Sequence, residues 1–303
     1  MPPTGRFLGL DIGGTSVKAG MVGPGEKRVR ASKSLPTQIQ DGPDVFLDRL
    51  CDHARSFGPF DAVGVGCPGV FDPGTGALRA SANLQSLEGR ILVQEIAQRL
   101  NLSEDQVRVD NDANLAAYGE QWHGAGAGRD NMCLLTLGTG IGGGLIQDGR
   151  LYTGPHGMAS EVGHIVILPK EQGGHPCGCG SAGCLETLAS ATHVRRRARE
   201  AGLTEDTVEL CRRADAAAGP ERELLHQVGR DLGRGMSYVV SLLDITFFVI
   251  AGGFSAALPQ MIDGIHETLS ERRYGTPKPD VVRATLGPDA GWMGAARLAW
   301  DFR

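Results

Sequence analysis

One local segment of this chain, Met158 to Glu186, carries a four-ligand metal set and constrains the fold more than any other stretch. His164 is followed after twelve residues by Cys177, then by Cys179 and Cys184, in the pattern His-x12-Cys-x-Cys-x4-Cys. Zinc takes thiolate and imidazole ligands tetrahedrally, and three Cys with one His close that tetrahedron, leaving no position for water or substrate. The spacing predicts a structural Zn2+ site at His164, Cys177, Cys179 and Cys184, with His175 as a competing fourth ligand. Gly173, Gly174, Gly178, Gly180 and Gly183 lie among the ligands, as a short knot requires where its backbone turns through angles that glycine adopts at little cost. Cys177 and Cys179 are too close in sequence for an easy disulfide. Metal binding would also fix two carboxylates, Glu161 three residues before His164 and Glu186 two after Cys184. A rigid carboxylate suits a polyhydroxylated ligand, because charge-assisted hydrogen bonds to its hydroxyls are about twice as strong as neutral ones.

The chain's 303 residues suffice for two domains with substantial cores. No apolar run is long enough to cross a bilayer, and the opening MPPTGRF lacks a basic segment followed by an apolar one, so the expectation is a cytoplasmic protein without a membrane partner. A formal net charge of −5 supplies no electrostatic reason to bind nucleic acid, and the basic run Arg195 to Arg199 reads as a solvated helix face. Cys51, Cys67, Cys133 and Cys211 are isolated and read as small buried apolar side chains. The 45 glycines cluster in a few loops, which indicates close approach of backbone to ligands.

The apolar run Phe7 to Leu10 leads into Asp11-Ile-Gly-Gly-Thr15, and Val17 to Val22 is again apolar, so this stretch reads as a hairpin. Its turn would present backbone N–H groups, with the hydroxyls of Thr15 and Ser16, to an anion. A P-loop is excluded, because the Gly-Lys-Ser/Thr ending is missing and a strand follows. The same design recurs where Cys133 to Leu137 leads into Gly138-Thr-Gly-Ile-Gly-Gly-Gly144 and Leu145-Ile146, with Gly13 matching Gly138. Such a repeat predicts two similar α/β domains facing each other across a cleft, with a phosphate chain between opposed glycine turns. Helical patterns cover Val45–Ala54, Ile91–Leu100, Leu115–Glu120, Thr187–Ala201, Thr204–Ala218, Glu221–Leu243, Ser255–Leu269 and Gly291–Trp300. Strands are expected over Asp61–Gly66, Val107–Val109, Thr246–Ala251 and Val281–Ala284, and Gly252-Gly253 is a third place for backbone to meet ligand. Asn83 is either a turn residue or a ligand contact. Asp112, between a strand's end and a helix's start, is either an N-cap or a chemical group beside the cleft.

Taken together, Asp11-Ile-Gly-Gly-Thr15, Asn111-Asp-Ala-Asn114, Gly138 to Gly144, Glu161-Val-Gly-His164, Cys177-Gly-Cys-Gly-Ser-Ala-Gly-Cys-Leu-Glu186 and Ala251-Gly-Gly253 resemble the ROK family of sugar kinases and sugar-responsive repressors. The resemblance implies a two-domain α/β fold of the actin-like, ribonuclease-H-like type. Residues 1–114, completed by a C-terminal helix at 291–303, would form the small domain, and 115–290, with the zinc knot at 164–184, the large one. Carried over by position, Asp112 matches the family's catalytic base, and Asn83, Asn111, Asp112, Glu161, His164 and Glu186 match its sugar contacts. Asp11, Gly13, Gly14, Thr15, Gly138, Thr139 and Gly140 match the nucleotide-phosphate loops, and Gly252 and Gly253 the adenosine loop. Asp11 would meet Mg2+ through water, and His164 would give one ring nitrogen to zinc and the other to a sugar hydroxyl. Ser160 stands where the family often has Gly, and Leu87 where an aromatic is common. The repressors carry a winged helix ahead of the first glycine turn, whereas ten residues precede Asp11 here. The expectation is therefore a glucokinase-type enzyme moving the γ-phosphate of ATP to the 6-hydroxyl of a hexose, assembled as a homodimer or homotetramer. Kinases for other hexoses or N-acetylmannosamine, and a non-catalytic sugar-binding regulator, are the alternatives. Glu161, Glu186 and Asn83 are expected to control sugar affinity and leave nucleotide binding nearly intact.

Overall fold

In the computed structural model, which describes residues 5–22, 30–81, 83–272, 275 and 277–301, the apolar runs become strands and the amphipathic runs become helices. In chain order these are β1 (Phe7–Ile12), β2 (Ser16–Val22), β3 (Arg30–Pro36), α1 (Pro43–Arg55), β4 (Ala62–Cys67), β5 (Val70–Phe71), β6 (Leu78–Ala80), α2 (Leu92–Leu100), β7 (Val107–Asn111), α3 (Asp112–His123), β8 (Met132–Leu137), β9 (Ile141–Gln147), β10 (Arg150–Leu151), α4 (Glu186–Ala189), α5 (Ala191–Glu200), α6 (Thr207–Ala216), α7 (Pro220–Leu243), β11 (Phe247–Ala251), α8 (Leu258–Arg272), β12 (Asp280–Arg283) and α9 (Ala290–Asp301). Two compact units result: one from the described residues of Met1–Asp130, Gly144–Ala159 and Thr285–Arg303, the other from Asn131–Gly143 and Ser160–Ala284.

The first unit is built on a sheet of order β3-β2-β1-β4-β7. β1 pairs antiparallel with β2 and parallel with β4, and β4 pairs parallel with β7. Alternation along β1 sends Leu8, Leu10 and Ile12 into a core with Phe46, Leu47 and Leu50 of α1. Phe7 joins the opposite cluster, with Trp292, Met293 and Ala296 of α9. Between them Gly9 leaves room for α9, since a Cβ there would lie 1.8 Å from the Trp292 carbonyl oxygen, and at Gly64 1.8 Å from that of Ala295. The same closeness joins α3 to α9: a Cβ on Gly119 would meet the Ala290 oxygen at 2.2 Å, and one on Gly294 the Leu115 oxygen at 1.8 Å. That packing places α3 in the first unit, so the division falls at Asp130, where the sequence expectation put it at Asn114.

The second sheet has the order β10-β9-β8-β11-β12. β8, β11 and β12 run parallel, and the chain passes from the second unit to the first within β9, between Gly143 and Gly144. α7 lies against α8 through Gly229, whose added Cβ would sit 2.0 Å from the Met261 oxygen, and Gly264, 2.1 Å from that of His226.

Three local expectations change. The helix read over Thr187–Ala201 is two, because Ser190 takes φ −70°, ψ 156° and its side chain caps the His193 N–H. Gly142 to Gly144 belong to β9 and not to the turn before it. β3 was not foreseen, since its sequence RASKSLP carries no apolar run. No described helix is long and apolar enough to cross a membrane.

Candidate active site

In the first unit, β1, β4 and β7 are parallel, so their carboxyl ends share one edge of the sheet. Ligands of open α/β sheets bind at that edge. Here it presents Asp11 from β1 and Asn111-Asp112 from the β7–α3 junction. Asp11 is accommodated by glycine on two sides: a Cβ on Gly66 would lie 3.3 Å from its Oδ1, and one on Gly291 2.5 Å from its carboxyl carbon. Burial, then the neighbouring Asp112 charge, pushes the Asp11 carboxyl up to about 7, with Lys18 pulling the other way. A carboxylate whose ionisation is opposed by the neighbouring Asp112 charge offers, with it, oxygen donors of the type a hard cation such as Mg2+ takes.

Asp112 also has a raised pKa, because burial outweighs the N–H of Ala113 that donates to its Oδ1 at 3.0 Å. The helix cap is Asn111: its Oδ1 accepts from Ala113 N at 2.8 Å and Asn114 N at 3.2 Å, and its Nδ2 donates to the Gly69 oxygen at 3.1 Å. Asp112 is therefore the first residue inside α3, and the capping role weighed for it belongs to its neighbour. At the first glycine turn, Gly13 N–H donates to the Ser16 oxygen at 3.0 Å, leaving Gly14 and Thr15 exposed at the tip. Asn83 is exposed and its side chain stands next to Gly14, 3.7 Å from where a Cβ would be. Leu87 is fully buried in the core of this unit.

In the second unit, one ligand atom from each of His164, Cys177, Cys179 and Cys184 lies within 4.8 Å of the others. Cys177 Sγ is 3.5 Å from His164 Nδ1, and Cys179 Sγ is 3.7 Å from Cys184 Sγ. Tetrahedral zinc with bonds of about 2.3 Å to sulfur needs ligand separations of roughly 3.5–3.8 Å, so these side chains fit the metal. His175 lies outside that group; its backbone oxygen accepts the Gly183 N–H at 2.8 Å. His164 turns Nδ1 to Cys177, and its Nε2 is 3.8 Å from Glu161 Oε2, so the ring's nitrogens face separate partners. Ser160, just before Glu161, sits at φ +68°, the left-handed region where glycine is favoured.

Glu186 departs from the expected grouping with the sugar contacts alone. Its Oε2 accepts the Ile141 N–H at 2.9 Å, and a Cβ on Gly140 would lie 2.2 Å from that same oxygen. The second glycine turn is tighter than the first: Gly138 N–H reaches back to the Gly140 oxygen at 3.0 Å with only Thr139 between. Gly252, at φ +85°, would carry its Cβ 2.4 Å from the Leu137 oxygen, so the third glycine loop abuts the strand leading into this turn.

The model of the ROK family matches residues 7–301. The chain belongs to the ROK family. A glucokinase of Halalkalibacterium halodurans is 34% identical, over 96% of this chain and 94% of its own. The ROK hexokinase from Thermus thermophilus superposes with a TM-score of 0.82 at 31% identity, covering 98% of each chain. A ROK family glucokinase from Streptomyces griseus, in complex with glucose and AMPPNP, superposes with a TM-score of 0.76 at 31% identity, covering 97% of this chain and 98% of that one. Beyond its motifs, this ROK chain holds its turns with residues the sequence reading missed. Thr37, fully buried, donates its hydroxyl to the Gly13 oxygen at 2.6 Å, and nothing local marks it. Half-buried Asp110 accepts from Asn111 N and Asn114 Nδ2, orienting the helix start; its place beside Asn111-Asp112 was the available signal. Ser190, a residue of capping type, starts α5, whose Ala191 N–H donates to the Gly138 oxygen at 2.9 Å.

Proposed function

We propose that this chain is an ATP-dependent hexokinase-type enzyme that phosphorylates the 6-hydroxyl of a hexose, with glucose as the preferred substrate. The observation that carries the reading is Asp112: Asn111 takes over the cap, burial raises the pKa of its carboxylate, and Asp11 lies beside it. The glucokinase relatives support the same reaction.

Phosphoryl transfer depends mainly on in-line positioning and on neutralising the charge of the phosphates. Asp112 accepts the 6-hydroxyl proton as that oxygen bonds to the γ-phosphorus, and the bond from the γ-phosphorus to the bridging oxygen breaks to release ADP. A raised pKa makes the carboxylate a stronger base. Backbone N–H groups at Gly13, Gly14, Thr15, Gly138, Thr139 and Gly140 bind the phosphates, and Gly252 and Gly253 border the adenosine. Mg2+ would be held by Asp11 through water, where it supplies positive charge to the phosphates. Asn83, Glu161, His164 and Glu186 bind sugar hydroxyls. Asn111 contributes the one Nδ2 hydrogen left after its bond to Gly69. Zinc would be held by His164, Cys177, Cys179 and Cys184, and would there fix the orientation of the His164 ring. Assembly as a homodimer or homotetramer in the cytoplasm belongs to the same reading.

A coupled assay with ATP over glucose, fructose, allose and N-acetylmannosamine tests it, and glucose should give the highest kcat/KM. Asp112→Asn should lower turnover by about 10²–10⁴ while glucose affinity changes far less. Wild-type turnover in that variant would remove Asp112 from the role of base, and absence of turnover by the wild-type protein with all four sugars would move the chain to the class of sugar-binding regulators.

A further inference from the structure

Glu186 touches the second glycine turn through a bond that a sugar contact does not require. Its Oε2 accepts the N–H of Ile141, the residue that leads from the turn into β9, and the turn's Gly140 has no room for a side chain because that oxygen fills the space. The other carboxylate oxygen, Oε1, lies 3.9 Å from Cys177 Sγ of the knot. The backbone fastens the same segment: Cys184 bridges to Val166, Leu185 N–H donates to the Ile165 oxygen at 2.8 Å, and Ala191 N–H donates to the Gly138 oxygen at 2.9 Å. The turn is thus gripped at Gly138 and at Ile141 by one short stretch that begins at a zinc ligand.

We propose that Glu186 is a positioning residue for the nucleotide-phosphate turn, through which the metal knot sets the conformation of Gly138–Ile141. This rests on the kinase reading above. A free turn of three consecutive flexible residues would have to order when phosphate binds, at an entropic cost of about 1–2 kcal/mol per residue. An acceptor fixed by the knot settles that ordering beforehand. A carboxylate is suited to the task, because a hydrogen bond to a charged acceptor is worth more than one to a neutral acceptor. The consequence runs against the expectation that Glu186 serves the sugar alone.

The experiment compares Glu186→Ala with Glu186→Gln. Binding of AMPPNP with Mg2+ is followed by calorimetry, hexose KM by the coupled assay, zinc content by metal analysis, and amide hydrogen exchange over residues 138–147 in the zinc-loaded protein. Glutamine keeps an acceptor for the Ile141 N–H; alanine has none. The proposal expects at least a tenfold loss of AMPPNP affinity in Glu186→Ala, faster exchange of the 138–147 segment, and unchanged zinc. Glu186→Gln should hold AMPPNP within about threefold of wild type, although hexose KM rises in both. Wild-type AMPPNP affinity in Glu186→Ala, or equal losses in the two variants, would overturn it. Should Glu186→Ala not fold, exchange in Glu186→Gln decides: protection of Ile141 like that of wild type supports the proposal, and full loss of it overturns it. Failure of the wild-type protein itself to bind AMPPNP would instead count against the kinase reading.

Discussion

At the scale of single residues, Asp11 illustrates how a site is kept at a cost to the fold. Its folded pKa of about 7 stands above the ordinary 3.8, so the folded protein holds this proton more tightly than the unfolded chain does. Stability from this group therefore falls as pH rises from about 4 to about 7 and is lowest above that window. In the absence of Mg2+ and nucleotide, Asp11→Asn should raise the melting temperature by a few degrees near pH 8, with the gain gone by about pH 4. Differential scanning fluorimetry across that range would expose the error as a pair of parallel curves. The neighbouring pair Asn111 and Asp112 shows where reading a sequence stops. Both residues are of capping type, one position apart, and only the backbone decides which side chain turns back onto the helix start. For Glu186 the difficulty was different, since its partner is a backbone N–H 45 positions away that no side-chain motif records.

Elements were legible where the pattern is local. The amphipathic spacing of α7 and the glycine turn after β1 emerge as read, and the knot carries all its ligands within one loop. What could not be read is how closely elements approach. Gly9, Gly20 and Gly64 look like weak points in strands; they are the bed of α9, with a Cβ on Gly20 falling 2.5 Å from the Trp292 ring. Gly64→Ala would place a methyl group 1.8 Å from the Ala295 oxygen, which is backbone and cannot swing aside. The helix must lift from the sheet, and overpacking of this kind costs typically about 1–3 kcal/mol. Urea denaturation should show a loss of that order or larger. Gly253→Ala, with nothing within 4 Å of its added Cβ, should stay within about 0.5 kcal/mol of wild type. Similar stability in the two variants would refute the close-packing account.

For the whole molecule, the decisive test is whether the knot holds zinc. Of the knot's four ligand side chains Cys184 alone is buried; Cys177 is half-buried, Cys179 is exposed and His164 retains 35% of its side-chain surface. Zinc held there would supply order to the loop, since such binding is worth on the order of 10 kcal/mol where a site forms only on folding. One zinc per chain is expected, and Cys179→Ser should lower melting temperature and turnover together. Since Cys179 is exposed, lost packing cannot explain such a result. Full stability in that variant, or purified protein without zinc by metal analysis, would remove the structural role.

The seat of α9 on β1 also governs how this protein can be made. Among the described elements β1 leaves the ribosome first and α9 last. α3, which needs the same helix, ends at His123, while α9 begins at Ala290. At about 5–20 residues per second, the interval between them takes on the order of ten to thirty seconds. Throughout that time Phe7, Val22 and Ala62 have no cover for the face they present to α9. Vectorial synthesis therefore delivers a first unit that cannot close, beside a second unit whose segments arrive together. The nascent chain must wait with that apolar face of the sheet open until α9 emerges.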